Sequence, residues 1–125
     1  MDIQAINDSE LEQVTGGAGE FGCTPSVIYN RALAGIGTPA GSGIAGDTSL
    51  FVSYCICGQP TRIGTTATFM SWPRSTNPQP GNICTNSSYC GIYAGNNQMI
   101  YVSSSARKVI LGNMPADMVI VRYNG

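Results

Sequence analysis

Gln98-Met99-Ile100-Tyr101-Val102-Ser103, Arg107-Lys108-Val109-Ile110-Leu111 and Asp117-Met118-Val119-Ile120-Val121-Arg122-Tyr123 are three short runs rich in β-branched and aromatic residues. They are separated by Ser104-Ser105-Ala106 and by Gly112-Asn113-Met114-Pro115-Ala116. Such side chains suit a pleated, half-buried surface, and polar turns at this spacing predict an antiparallel meander. In the last run Met118, Ile120 and Arg122 share one face, while Val119, Val121 and Tyr123 share the other. Both faces are largely apolar, which predicts a central strand rather than an edge.

Upstream, Ser49–Cys57 carries the same kind of residues, and Gly58-Gln59-Pro60 turns it toward Thr61–Trp72, so the two runs are expected to form a hairpin. Pro73 to Asn82 holds three prolines and no apolar residue between them, the composition of an exposed loop. Val27–Leu33 fits a short helix or a strand equally well. Ala32 to Gly46 is uncharged and dense in glycine. Gly37 and Gly41 have the spacing of a membrane glycine zipper, but Pro39 interrupts it and the stretch is too short to span, which favours a flexible surface loop. The expected fold class is therefore mainly β, with a flexible glycine-rich part over 18–47 and a small antiparallel β domain over 48–125.

The composition narrows the chemistry. The 125 residues include 6 basic and 7 acidic side chains and no histidine. A charged fraction of 10% is far below that of an ordinary soluble domain and offers no phosphate-reading face, so no nucleic acid is expected as a partner. Without histidine there is no Ser-His-Asp or Cys-His catalysis and no imidazole metal site. Of the acidic side chains beyond residue 17, Glu20, Asp47 and Asp117 have no spacing that pairs them, and a nucleophilic Cys23 would lack a base. The expectation is no enzyme, no cofactor and no metal.

The charge is divided along the chain. Residues 1–17 contain Asp2, Asp8, Glu10 and Glu12 without a basic residue, a net −4, while 18–125 carries +3. Ile3, Ile6, Leu11 and Val14 fall on one face of a helical wheel, and Ser9 with Glu12 has the spacing of a capping box. Thr15-Gly16-Gly17 ends that amphipathic helix. The segment Glu10-Leu11-Glu12-Gln13-Val14-Thr15-Gly16-Gly17 resembles the double-glycine leader of bacteriocin and microcin precursors, with Ile3 and Ile6 at the upstream aliphatic positions. The resemblance is confined to residues 1–17. It implies a leader helix recognised through Ile3, Ile6, Glu10, Leu11 and Val14 by a peptidase-containing ABC exporter, and cleavage after Gly17, between Gly16-Gly17 and Ala18.

On that resemblance the chain divides into a leader, 1–17, and a mature secreted domain, 18–125. The implied function is a precursor of a secreted antibacterial protein, bacteriocin or microcin-like, acting on the envelope or a receptor of target bacteria and matched by an immunity protein in the producer. A second reading is a non-toxic exported surface, adhesion or matrix protein, and a third is an enzymatically modified peptide precursor. Export makes the five cysteines candidates for disulfides. On a strand, Cys55 and Cys57 would point the same way, so they are expected to bridge to Cys84 and Cys90, with Cys23 unpaired. The spacings do not match the Cys-x2-Cys of zinc ribbons.

Overall fold

The computed structural model describes residues 23–123. The cleavage residues Gly16, Gly17 and Ala18 and the recognition residues Ile3, Ile6, Glu10, Leu11 and Val14 lie outside the described residues. Helix α1 is Pro25–Gly35, begun by the Thr24 hydroxyl, which accepts from the Val27 amide, and by a proline in its first turn. A 3-10 turn follows at Gly43–Ala45, then helix α2 at Thr48–Cys57 and a short helix α3 at Thr66–Met70. Five strands complete the chain: β1 Ile83–Thr85, β2 Cys90–Gly95, β3 Gln98–Ser103, β4 Lys108–Asn113 and β5 Val119–Val121. They form one antiparallel sheet in the order β4-β3-β2-β1-β5. The domain is mainly β, as the periodicity predicts.

Three expectations are corrected. Ser49–Cys57 is helical, not a strand. The helix is buried on several sides, with Phe51, Val52, Ser53, Cys55 and Ile56 all in the interior, so no polar stripe marks its period and its composition resembles a strand. Its ends decide the matter. The Asp47 carboxylate accepts from the Leu50 amide at 2.8 Å, and Gly58 closes the helix in the left-handed region at φ 79°. Thr61–Trp72 is not the second arm of a hairpin either; it contains α3, which opens on a reciprocal Thr65 and Thr68 capping box. The third correction concerns β5, which is an edge strand paired with β1 and not with β4, so the three C-terminal runs do not form one meander.

The apolar character of β5 has another cause. The segment read as an exposed loop runs along its outer side: Ser75 N donates to Ile120 O at 2.9 Å, and Arg122 N donates to Pro73 O at 3.0 Å. The glycine-rich stretch does the same at the opposite edge, with Gly37 N on Val109 O at 2.9 Å, Val109 N on Thr38 O at 3.0 Å and Ala40 N on Arg107 O at 3.0 Å. Both sheet edges are thus occupied by the chain itself, which leaves no long row of unpaired backbone groups for another molecule to extend. Among the described residues no helix is long and apolar enough to cross a membrane.

Alternation along the strands divides the interior in two. Ile83, Ile92, Ile100, Val109 and Val121 face the helices and join Ile28, Phe51, Val52, Ile56 and Phe69 in the main core. Cys84, Met99 and Met118 face the other way, among Tyr93, Tyr101 and Ile120. Gly81 sets the approach of α1 to this body. Its φ is +101°, and a Cβ there would lie 1.9 Å from the Pro25 carbonyl oxygen, so no other residue fits without moving backbone.

Candidate functional site

The first turn of α2 is fixed by Asp47. Besides capping Leu50, its Oδ1 accepts from the Ser49 hydroxyl at 3.1 Å, and the two oxygens accept from Arg62 Nη1 at 2.9 Å and Nη2 at 2.6 Å. Arg62 also donates to the Ser49 hydroxyl. The Arg62 hydrogen bonds hold the Asp47 carboxyl down at about 2. This fork keeps the N-terminal end of α2, with Thr48 as its first residue, in one place.

Asn86 organises the turn facing that end. Its Oδ1 accepts from Ser88 N at 2.8 Å and Tyr89 N at 2.9 Å, while its Nδ2 donates to Asp117 Oδ2 at 3.2 Å. The turn delivers Tyr89 to the start of β2, and Cys90, the next residue, donates from Sγ to Thr48 Oγ1 at 3.8 Å. Burial pushes the Cys90 thiol up to about 12, so it stays protonated and serves as a packing group under Thr48. Gly91 is the next necessity. A Cβ there would stand 2.8 Å from Ile100 O and 2.9 Å from Tyr101 Cβ, so its bare backbone lets β3 and Tyr101 close in. The Tyr101 ring then meets Tyr89 at 5.8 Å between centroids, tilted by 44°. Desolvation, Tyr101 and Asp117 all push the Tyr89 hydroxyl up, which keeps it a neutral donor at physiological pH.

These groups surround a cleft of about 410 Å³, lined by Thr48, Tyr89, Tyr101, Val102 and the serines 103 to 105. Ser103 Oγ is 3.2 Å from Ser105 Oγ and accepts from Ala106 N at 3.1 Å, which shapes the rim. The lining is hydroxyls and two aromatic faces beside the positive end of a helix. It offers hydrogen bonds to amides, hydroxyls and carboxylates, and stacking area for flat groups. The chain has no histidine, so no imidazole can serve here.

None of the lining residues was singled out from the sequence. Thr48, Tyr89 and Tyr101 lie far apart in the chain and belong to no motif; the one local signal was Asp47 ahead of an apolar run, an N-cap pattern. Of the cysteines that were singled out, Cys90 meets the cleft, under Thr48, and the other four do not line it. Cys84 sits on the far face of the sheet, Cys55 and Cys57 lie toward the C-terminal end of α2, and Cys23 precedes α1. All five thiols are free.

No family model matches the sequence, and no curated protein resembles it significantly. Solved structures do resemble it. The peptidoglycan hydrolase RipB of Mycobacterium tuberculosis superposes with a TM-score of 0.66 at 18% identity, covering 98% of this chain and 70% of its own. A P60 domain from an antigen of M. avium paratuberculosis gives 0.60 at 19%, covering 79% and 92%. The fold is that of NlpC/p60 domains. RipD of M. tuberculosis, described as a non-catalytic NlpC/p60 domain protein adapted to peptidoglycan binding, gives 0.56 at 15%, covering 78% and 95%.

Two expectations fall with this. The structural neighbours are NlpC/p60 proteins and not bacteriocin precursors, so the bacteriocin and double-glycine family reading is overturned. The expectation of no enzyme is overturned as well, because a structural neighbour with this fold, RipB, is a peptidoglycan hydrolase. The error was to equate the absence of histidine and of paired carboxylates with the absence of a site. An NlpC/p60 fold is compatible with the extracellular location expected from the sequence.

Proposed function

We propose that residues 23–123 form a cell-wall-associated module that takes peptidoglycan into the cleft between the N-terminal end of α2 and the β2 and β3 strands. The observation that carries this reading is the cleft itself, a neutral, hydroxyl-rich pocket with two tyrosine rings on a fold that RipB uses as a peptidoglycan hydrolase and RipD for peptidoglycan binding. Peptidoglycan combines amino sugars with short peptides. Thr48 and the serines 103 to 105 supply hydrogen-bonding partners for amides and carboxylates, and Tyr89 and Tyr101 supply faces for sugar rings or peptide planes. The module works outside the cytoplasm, which agrees with the exported surface-protein reading of the sequence rather than with the toxin.

Sedimentation with purified, insoluble peptidoglycan tests this directly. The full chain is expected to pellet with the polymer, and Tyr101→Ala to shift binding roughly tenfold weaker through loss of one aromatic face. Failure of the intact protein to pellet across a range of wall chemotypes would remove the proposal. Soluble fragments released in the same tubes would show that the cleft also turns the polymer over.

A further inference from the structure

The helices cover one face of the sheet. Pairing and alternation put Tyr93 of β2, Met99 and Tyr101 of β3, Ile110 of β4 and Ile120 of β5 on the other. No described helix adds an apolar side chain to the cluster on that side. Tyr93, Tyr101, Ile110 and Ile120 are only partly buried there. An antiparallel sheet with one solvated face alternates apolar with polar side chains. Here the outward positions are apolar as well, the pattern of a sheet that carries a layer on each side.

Two cations frame this face. Lys108 is exposed at the start of β4, opposite Ser103 and on the same side as Ile110. Arg122 stands between Val121 and Tyr123, both in the core on the helix side, so it shares the side of Ile120. Among the described residues neither is in an ion pair; the pair present joins Arg62 to Asp47.

The first seventeen residues have the complementary character. Ile3, Ile6, Leu11 and Val14 share one helical face, and Asp2, Asp8, Glu10 and Glu12 have no basic residue among them. From Ile3 to Val14 a helix would be about 18 Å long. Strands β3 and β4, at six residues each, run for about 20 Å. The stripe is as long as the strands beneath it.

The chain also starts at a suitable place. A Cβ on Gly81 would lie 1.9 Å from the Pro25 carbonyl oxygen, the Gly81 amide donates to Tyr93 O at 2.9 Å, and Tyr93 N donates to Asn82 O at 2.8 Å. The beginning of α1 thus meets the end of the sheet where Tyr93 and Met99 are paired. Residues 18–22 extend over about 17 Å, more than the roughly 10 Å between a sheet and a layer packed on it.

We propose that residues 1–17 dock as an amphipathic helix on the sheet face formed by Tyr93, Met99, Tyr101, Ile110 and Ile120, with their carboxylates between Lys108 and Arg122. Val14 lies at the Met99 end and Ile3 toward Ser103, so the start of the segment comes to rest beside the serine rim of the cleft. The segment is the missing third layer of the fold, and this assignment is independent of what the cleft binds.

Lys108 is the one lysine of the chain, which makes it a selective reporter. The test treats the full chain, at low concentration, with a carbodiimide that joins amines to carboxylates in direct contact, and maps the products by mass spectrometry. The expected product is a monomer with an isopeptide bond from Lys108 to a carboxylate of residues 1–17, Asp2 before the others. Leu11→Ser should reduce its yield roughly tenfold, as expected for losing one buried leucine from the contact. That variant alters no residue of the sheet or the main core, so a lost link is not the result of a misfolded domain. A link found only in covalent dimers would put a second copy on the face instead. That result, the absence of any link, or an unchanged yield in Leu11→Ser would overturn the proposal.

Discussion

Replacing Asp47 separates the two roles that the structure gives it. Asp47→Ala removes the acceptor for the Leu50 amide at 2.8 Å and the bidentate partner of Arg62. Loss of an N-cap costs about 1 kcal/mol. The Arg62 pair is half-exposed, at 42% and 51%, so solvent screening limits it to about 0.2–1 kcal/mol despite its fork geometry. The expected total is about 1.5 kcal/mol, read as a lower urea midpoint at unchanged slope. Asp47→Asn keeps the capping oxygen and loses only the charge, so it should cost no more than the ion-pair share. The pH dependence distinguishes them further. The folded carboxyl titrates at about 2, below its ordinary value near 3.9, so its extra stabilisation is present above pH 4 and is lost as the pH falls through 2. The advantage of the wild type over Asp47→Asn should therefore shrink between pH 4 and pH 2. Equal stability of Asp47→Asn and Asp47→Ala at pH 7, or an undiminished wild-type advantage at pH 2, would refute the capping and pairing assigned here.

Further outcomes are expected elsewhere. Gly81→Ala should reduce soluble yield and cost more than about 3 kcal/mol in chemical denaturation, since the new carbon would overlap the Pro25 carbonyl and the backbone sits at positive φ. Phe69→Ala should cost about 3–5 kcal/mol by the same assay, because the ring is fully buried and packs edge-on to Trp72 at 4.9 Å. Gly91→Ala is expected to push Tyr101 off β2 and weaken peptidoglycan sedimentation more than it lowers the melting temperature. In the fully reduced protein at pH 8, iodoacetamide should modify Cys57 first. Cys84 and Cys90, pushed up to about 12 by burial, should react only in denaturant.

How far the sequence could be read depended on how local the cause was. The β3 and β4 runs were legible because β-branched and aromatic side chains mark them and a short polar turn joins them. Local chemistry also fixed the ends of α2, through Asp47 and Gly58, yet its interior was misread. A helix surrounded by core loses the polar stripe that reveals its period, and only packing against β2 and β3 selects helix over strand there. The position of β5 followed the same logic. Its two apolar faces pointed to a central strand, whereas the residues from Pro73 to Ser75 close its outer side without being a strand themselves.

The sequence by itself determined the class of the domain, the lack of an imidazole and the hairpin of β3 and β4, because composition and nearest-neighbour periodicity are properties of the chain. The cleft was decided by tertiary structure alone. Thr48 begins a helix, Tyr89 ends a turn built by Asn86, and Tyr101 lies on a strand that approaches through the space Gly91 leaves empty. No spacing rule joins those positions; packing the first turn of α2 against the sheet does. The cysteines show the same division: their number and their place in the chain were plain, but which of them share a neighbourhood depends on the sheet that separates Cys84 from the helices and on the length of α2 that separates Cys90 from Cys57.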